Sequence, residues 1–167
     1  TVMTTPPRAL AFARYRIATG ILFAIFVPRM RTQSEFDRSG RYNAVRPRVL
    51  SLDRATQANE IRKMRSIPDY IVGSVHAVTE DGHVLIASNT GSQLGPYASG
   101  AGRVIWVVGA QKIVKDLNDG FRRINEHVVP LEEEHMQQLY KVGTAVSQML
   151  IVNRVFRPGR VTMILVK

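Results

Sequence analysis

Residues 87–109 read ASNTGSQLGPYASGAGRVIWVVG, a segment dense in hydroxyls and glycines between two apolar runs. Ser88, Thr90 and Ser92 carry hydroxyls, Gln93 carries an amide, and Gly91 lets backbone N–H groups approach a ligand closely. Donors in this density suit a phosphate or a carboxylate, and a helix starting near Gln93 would add its positive end. Gln111 and Lys112 follow the next apolar run, and a lysine there meets an anion as a point charge. The same residues also fit a plain glycine-rich turn. There is no Walker A motif, and Gly95, Gly100 and Gly102 are wrongly spaced for the GxGxxG dinucleotide fingerprint.

Glu80, in the turn VTEDG, is the acid with chemical potential. A carboxylate held close to an acyl group in a water-poor site acts as a nucleophile, whereas in an open hairpin it is merely solvated. Asp81 reads as the former of that turn. His76 and Glu80, four residues apart along a strand, would share a face with His83 near by. A metal site needs three or four ligands, and only two converge here, so no metal is read. His76 then reads as a partly buried, hydrogen-bonded side chain, and His127 and His135 as solvated near helix ends. Arg122 and Arg123 read as the polar side of a helix, and Tyr97 and Trp106 as core or rim. No nucleophile elbow and no Ser-His-Asp spacing appears, which argues against a hydrolase.

The chain has 167 residues, 45% of them hydrophobic, enough for one domain with a core. It has no cysteine, which excludes disulfides, thiolate metal sites, iron–sulfur ligation and a cysteine nucleophile within it and is compatible with the cytoplasm. The net charge of +10 is uneven: residues 1–48 carry +7 and residues 49–167 carry +3. The basicity belongs to one end, and no aromatic residues interleave with basic ones in the body, so nucleic acid is a poor candidate partner.

These candidate groups need elements to hold them. Residues 1–33 form an atypical basic and apolar segment. Its uncharged run, residues 17–27, is too short for a membrane-spanning helix, which needs about 20 residues. It fits a buried strand or helix, and with Arg8, Arg14 and Arg16 before it also resembles a signal-peptide core. Residues 53–66 predict a helix capped by Asp53 with Ile61 and Met64 on its apolar side. A β-rich run covers residues 70–79, and HVLIAS and RVIWVV predict two further strands. Residues 116–129 predict an amphipathic helix ended by Pro130, followed by a second helix from LEEEHMQQLYK whose acids favour its start. Strands at residues 149–155 and 161–166 flank the turn Arg157-Pro158-Gly159-Arg160. Alternating strands and helices give an α/β class, a three-layer mainly parallel sheet flanked by helices.

From residue 34 to residue 167 the chain resembles the LUD-domain family, the lactate-utilisation proteins. The blocks GRYNAVRPR, DRATQANEIRKM, IVGSVHAVTEDGHVLIASNTGSQLGPYASGAGRVIWVVGAQKIVKDL, RRINEHVVPLEEE and FRPGRVTMILVK carry the resemblance. It implies the fold of the ribose-phosphate isomerase, glucosamine-phosphate deaminase and coenzyme A transferase superfamily. It also implies L-lactate oxidation to pyruvate in the cytoplasm alongside iron–sulfur partner proteins, with a small anionic metabolite as ligand, no cofactor in this chain, and self-association as a further expectation. The match of TEDG to the Ser-Glu-Asn-Gly turn of coenzyme A transferases makes Glu80 the nucleophile or base of an alternative, stand-alone enzyme of the transferase or sugar-phosphate type. A third reading is a basic module, residues 1–48, for a membrane surface or nucleic acid. Family members begin with a helix and strand that residues 1–34 do not resemble, as in a truncated or divergent member. Relatives carry Asn-Lys where this chain has Ser147-Gln148, so that lysine's contact is missing.

Overall fold

The computed structural model describes residues 3–4, 21–23 and 36–167. Two sheets share the chain. A five-stranded, all-parallel sheet has the order β1 (Met3–Thr4), β9 (Val161–Val166), β6 (Arg103–Gly109), β3 (Tyr70–Gly73), β2 (Ile21–Phe23). A four-stranded mixed sheet has the order β7 (Ile113–Val114), β4 (Ala77–Thr79), β5 (Val84–Ser88), β8 (Gln148–Val152). The helices are α1 (Val45–Leu50), α2 (Ala58–Ser66), α3 (Leu117–Arg123) and α4 (Val129–Tyr140). The α/β class and the layered, mostly parallel arrangement expected from the alternation of elements are present.

β6 is central because nearly every residue in it is apolar. Val104, Trp106 and Val108 face one core, packed with Ile71, Tyr97 and Val45 and Val49 of α1. β5 is buried throughout: Val84 and Ile86 join that core, while Leu85 and Ala87 point to a second one. The second core lies against Ile124, Leu117 and Val129 of the long helical segment. The mixed sheet is thus the middle layer.

Three sequence expectations need correction. The run 70–79 is not one strand: it breaks at Ser74–His76, where the chain leaves the parallel sheet and enters the mixed one. The glycine-rich segment therefore follows a strand of the mixed sheet. Second, Pro130 does not end a helix. Residues 124–128 widen into a π-turn in which the Val129 N–H donates to the Ile124 carbonyl, and the helix continues through Pro130 to Tyr140. The wider turn tolerates the N–H that proline lacks. Third, Asp53 does not cap α2. Its carboxylate accepts from the Ala55 N–H and the Thr56 hydroxyl, which makes a turn, and α2 begins at Ala58. Ile61 is buried and Met64 half-buried, as their spacing required. Arg8, Arg14, Arg16 and most of residues 17–27 lie outside the described residues, although β2 falls within that apolar run.

Gly100 fixes the packing of the loop before β6 onto α2, since a Cβ there would overlap the Ser66 carbonyl oxygen. Gly100→Ala should cost about 3 kcal/mol of unfolding free energy, because backbone cannot give way as a flexible side chain does. Urea denaturation monitored by circular dichroism measures it.

Candidate functional site

The break between β3 and β4 has a twin. β6 also leaves the parallel sheet, passes through a short helical turn at Ala110–Lys112, and enters the mixed sheet as β7. The two crossings run side by side because β3 pairs with β6 and β4 with β7, both in parallel. At a crossing, backbone carbonyls lose their ladder partners and need other donors. Side chains supply all three at the first crossing. The Tyr97 hydroxyl donates to the Ser74 carbonyl (3.4 Å), the Lys112 ammonium to the Val75 carbonyl (2.8 Å), and Arg123 Nε to the His76 carbonyl (3.0 Å). Lys112 also donates to the Ser74 hydroxyl at 2.9 Å.

A cavity of about 310 Å³ opens over this crossing. Ser74, Val75, His76 and Lys112 form one wall, Ala87, Ser88, Asn89, Thr90 and Gln93 a second, and Val128, Val129, Glu132, His135, Met136 and Tyr140 a third, with Thr144–Val146 at its edge. Its size lies in the range of small-metabolite sites.

The electrostatics of the first wall favour an anion. Lys112 and Arg123 have no carboxylate at ion-pair distance among the described residues. Burial and the nearby Arg123 charge lower the pKa of Lys112, and burial lowers that of Arg123. Lys112 on this wall and Arg123 near it are thus two partly desolvated cations with no carboxylate paired to them among the described residues. His76 adds no charge. Burial, then Lys112 and Arg123, push its pKa down from 6.5 to about 4. Its Nδ1 accepts the Ala87 N–H at 3.0 Å, which leaves the proton on Nε2 as a neutral donor.

The second wall is the glycine-rich loop. Ser88 Oγ accepts the Gly91 N–H (2.9 Å) and donates to Gln93 Oε1 (3.2 Å), which also accepts from the Ser92 hydroxyl at 3.2 Å. Gln93 Nε2 reaches back to the Ala87 carbonyl at 3.4 Å. Gly91 has φ +72°, a conformation that favours glycine, and the Gln148 side chain packs where its Cβ would be. Ser147 donates to Asn89 Oδ1 at 3.0 Å. The Ser147-Gln148 pair therefore seals the loop against β8. The N–H groups of Asn89 and Thr90 take no acceptor among the described residues, and both residues line the cavity. The helix expected to start near Gln93 is present but short: residues 94–95 are helical and run on into a π-turn, Pro96–Gly100, with the Tyr97 N–H donating to the Gln93 carbonyl.

Of the residues singled out in the sequence, the structure brings Ser88, Thr90, Gln93 and Lys112 together on the cavity. Gly91 and Ser92 shape the loop from behind, and Gln111 is exposed, its amide lying against Gly109. Glu80 is not with them. It is exposed at the far end of the β4–β5 hairpin, roughly 13 Å of strand away from His76. There Asp81 accepts from the Thr79 hydroxyl and pairs with His83, and Gly82 donates to the Thr79 carbonyl, so Asp81 and Gly82 make the turn. Among the described residues no three His, Cys, Asp or Glu side chains group where a metal could be held.

Sequence reasoning missed two participants. Arg123 is not simply a solvated helix residue: half-exposed, it reaches across 47 residues to the His76 carbonyl. Glu132 is not merely an acid at a helix start. It faces the cavity, its Oε2 is buried with no hydrogen-bond partner among the described residues, and burial raises its pKa against the lowering pull of His135. The signal available was the spacing of four along Val128, Glu132, Met136 and Tyr140, one helix face with an acid inside an apolar stripe. Its neighbour Glu133 accepts from the Thr144 N–H and Gln137, which ties the irregular segment 141–147 over the cavity edge.

The family model of the LUD domain matches residues 31–166. This chain belongs to the LUD-domain family. The LUD domain is associated with lactate-utilisation proteins. No curated protein and no solved structure matches the chain. Among the described residues of this LUD-domain protein, no helix is long and apolar enough to cross a membrane.

The buried imidazole gives a pH signature. Unfolded, His76 takes a proton near pH 6.5; folded, only near pH 4. Between these values the unfolded chain binds more protons, so stability falls as pH falls, by on the order of 3 kcal/mol in total. His76→Asn should flatten the decline of Tm between pH 7 and pH 4, measured by calorimetry. Lys112→Met leaves the Ser74 hydroxyl and Val75 carbonyl without their donor and should cost about 2 kcal/mol in urea denaturation at pH 7.

Proposed function

We propose that this LUD-domain protein binds a small carboxylate metabolite, L-lactate or pyruvate, in the cavity over the two crossings. It thereby supports oxidation of L-lactate to pyruvate together with iron–sulfur partner proteins in the cytoplasm. The observation that carries the reading is the half-buried Lys112 ammonium, with Arg123 near by and no carboxylate paired to either among the described residues, on a cavity lined by the Ser88, Thr90 and Gln93 side chains. A carboxylate on the Lys112 ammonium, with the His76 Nε2–H and the Asn89 and Thr90 N–H groups as further donors, supplies the missing negative charge. Gly91, Ser92 and Gln111 act as the frame of this site rather than as contacts.

The opposite wall has a complementary character. Glu132, its carboxyl pushed towards the neutral form by burial, faces the same space from an apolar helix stripe. It offers a hydrogen-bond partner to the hydroxyl of a 2-hydroxy acid or the oxo group of its oxidised form, and Val128, Val129 and Met136 accommodate a short alkyl group. The bound acid is thereby held with water excluded from its alkyl side, as a subunit handing electrons to a partner's cluster requires. The reading in which Glu80 attacks an acyl group draws no support from its exposed position away from the cavity.

Isothermal titration of the full chain with L-lactate and pyruvate tests the proposal. One of the two should bind. Thr90→Trp, which fills the mouth from an exposed position, should abolish the heat. Lys112→Met should weaken binding at least about tenfold, the loss of one charge-assisted contact. Absence of heat with both acids in the wild-type chain would contradict it.

A further inference from the structure

A second concavity, about 460 Å³, lies towards the amino ends of β6 and β9, whereas the first crossing lies at the carboxyl ends of β3 and β6. It is built by the β8–β9 connection, residues 153–160, and by residues 97–102 before β6. Three arginines face it: Arg154, Arg157 and Arg160. They differ in what they do. Arg160 is consumed by structure. Its guanidinium donates to the Ala101 carbonyl (3.1 Å), the Tyr97 carbonyl (3.0 Å) and the Pro96 carbonyl (2.9 Å), which locks the turn onto the loop before β6. The turn is also held by the Arg160 N–H to the Arg157 carbonyl and by the Arg160 carbonyl, which accepts from the Val104 N–H.

Arg154 and Arg157 are left with their charges unused. Neither has a carboxylate partner among the described residues. Arg157 is near enough for its charge to lower the pKa of Arg160. Like charges gathered around a preformed concavity are unfavourable unless an anion completes them. Between them stands Phe156, 93% exposed, a large aromatic ring that nothing among the described residues covers. Arginines beside an exposed ring form the pattern that binds a phosphate chain and stacks a flat base.

We propose that this concavity is a nucleoside-phosphate site, in which Arg154 and Arg157 hold the phosphates and Phe156 stacks on the base. The site is independent of the carboxylate cavity in every residue that would touch the ligand. Arg160 ties the turn to the loop before β6, so the ordering cost of binding falls on the Arg154, Phe156 and Arg157 side chains.

The protein carries its own reporter. Its single tryptophan, Trp106, lines this concavity, so its emission reads this site. ADP titrated into the full chain, with excitation at the red edge of the indole band, should change the Trp106 emission with saturation. Arg157→Glu should weaken ADP binding at least tenfold, and Phe156→Ala should weaken it several-fold; both positions are exposed, and unchanged melting curves confirm folding. Pyrophosphate should bind more weakly than ADP, and adenosine more weakly still. Thr90→Trp is avoided here because it adds a second indole; Met136→Phe at the other cavity should leave the ADP response intact. No saturable change with ADP overturns the proposal. So does pyrophosphate binding as tightly as ADP with no effect of Phe156→Ala, which would reduce the site to a patch of positive charge.

Discussion

The structure depends on how the chain leaves one sheet for another. At Ser74–His76 three successive carbonyls are pulled out of the β-ladder in the interior of the molecule, and each is satisfied by a side chain from a distant element. An unpaired buried carbonyl costs about 1–3 kcal/mol, so Tyr97, Lys112 and Arg123 are structural requirements before they are anything else. Two of the three donors are cations. The fold thus places positive charge beside a cavity as a by-product of completing its own hydrogen bonds, and the function proposed here uses that charge.

The surroundings turn this local solution into a site. Cationic donors at a solvated crossing would be screened by water. Here the long helix, carried past Pro130 by its π-turn, lays Val128, Val129 and Met136 over the crossing and reduces water around Lys112. The glycine-rich loop closes the second side, held in shape by Ser88, Gln93 and the Gln148 side chain packed on Gly91. Burial also sets the protonation states. It keeps His76 neutral near pH 7 and holds Glu132 closer to its protonated form, so the cavity presents cation and donors on one wall and a carboxyl on the other.

Much of this was legible in the sequence, and the parts that were not share a cause. RVIWVV read as a buried parallel strand because its apolar run leaves no polar face, and it is the centre of the parallel sheet. Residue type and strand-end position single out the loop of residues 88–93 and Lys112, of which Ser88, Asn89, Thr90, Gln93 and Lys112 line the cavity. The break within residues 70–79 was invisible because Ser74 and His76 interrupt an apolar run no more than a half-exposed strand would. Arg123 was misread because its acceptor is a backbone carbonyl 47 residues away, which no local pattern encodes. Pro130 was misread because a π-turn has no residue signature to set against proline's reputation as a helix breaker. Glu80 attracted notice through a four-residue turn whose chemistry its position in the hairpin does not bring to the cavity.

The most direct measurement is the pKa of the Lys112 ammonium, followed by NMR of the labelled side chain with and without saturating pyruvate or L-lactate. In the free protein the account predicts a value below that of an exposed lysine, from burial and the Arg123 charge. It predicts a rise when the carboxylate binds, because an opposite charge favours the protonated form. An ordinary lysine value in the free protein, unmoved by either acid, would contradict the claim that the crossing holds an unneutralised cation for an anionic ligand.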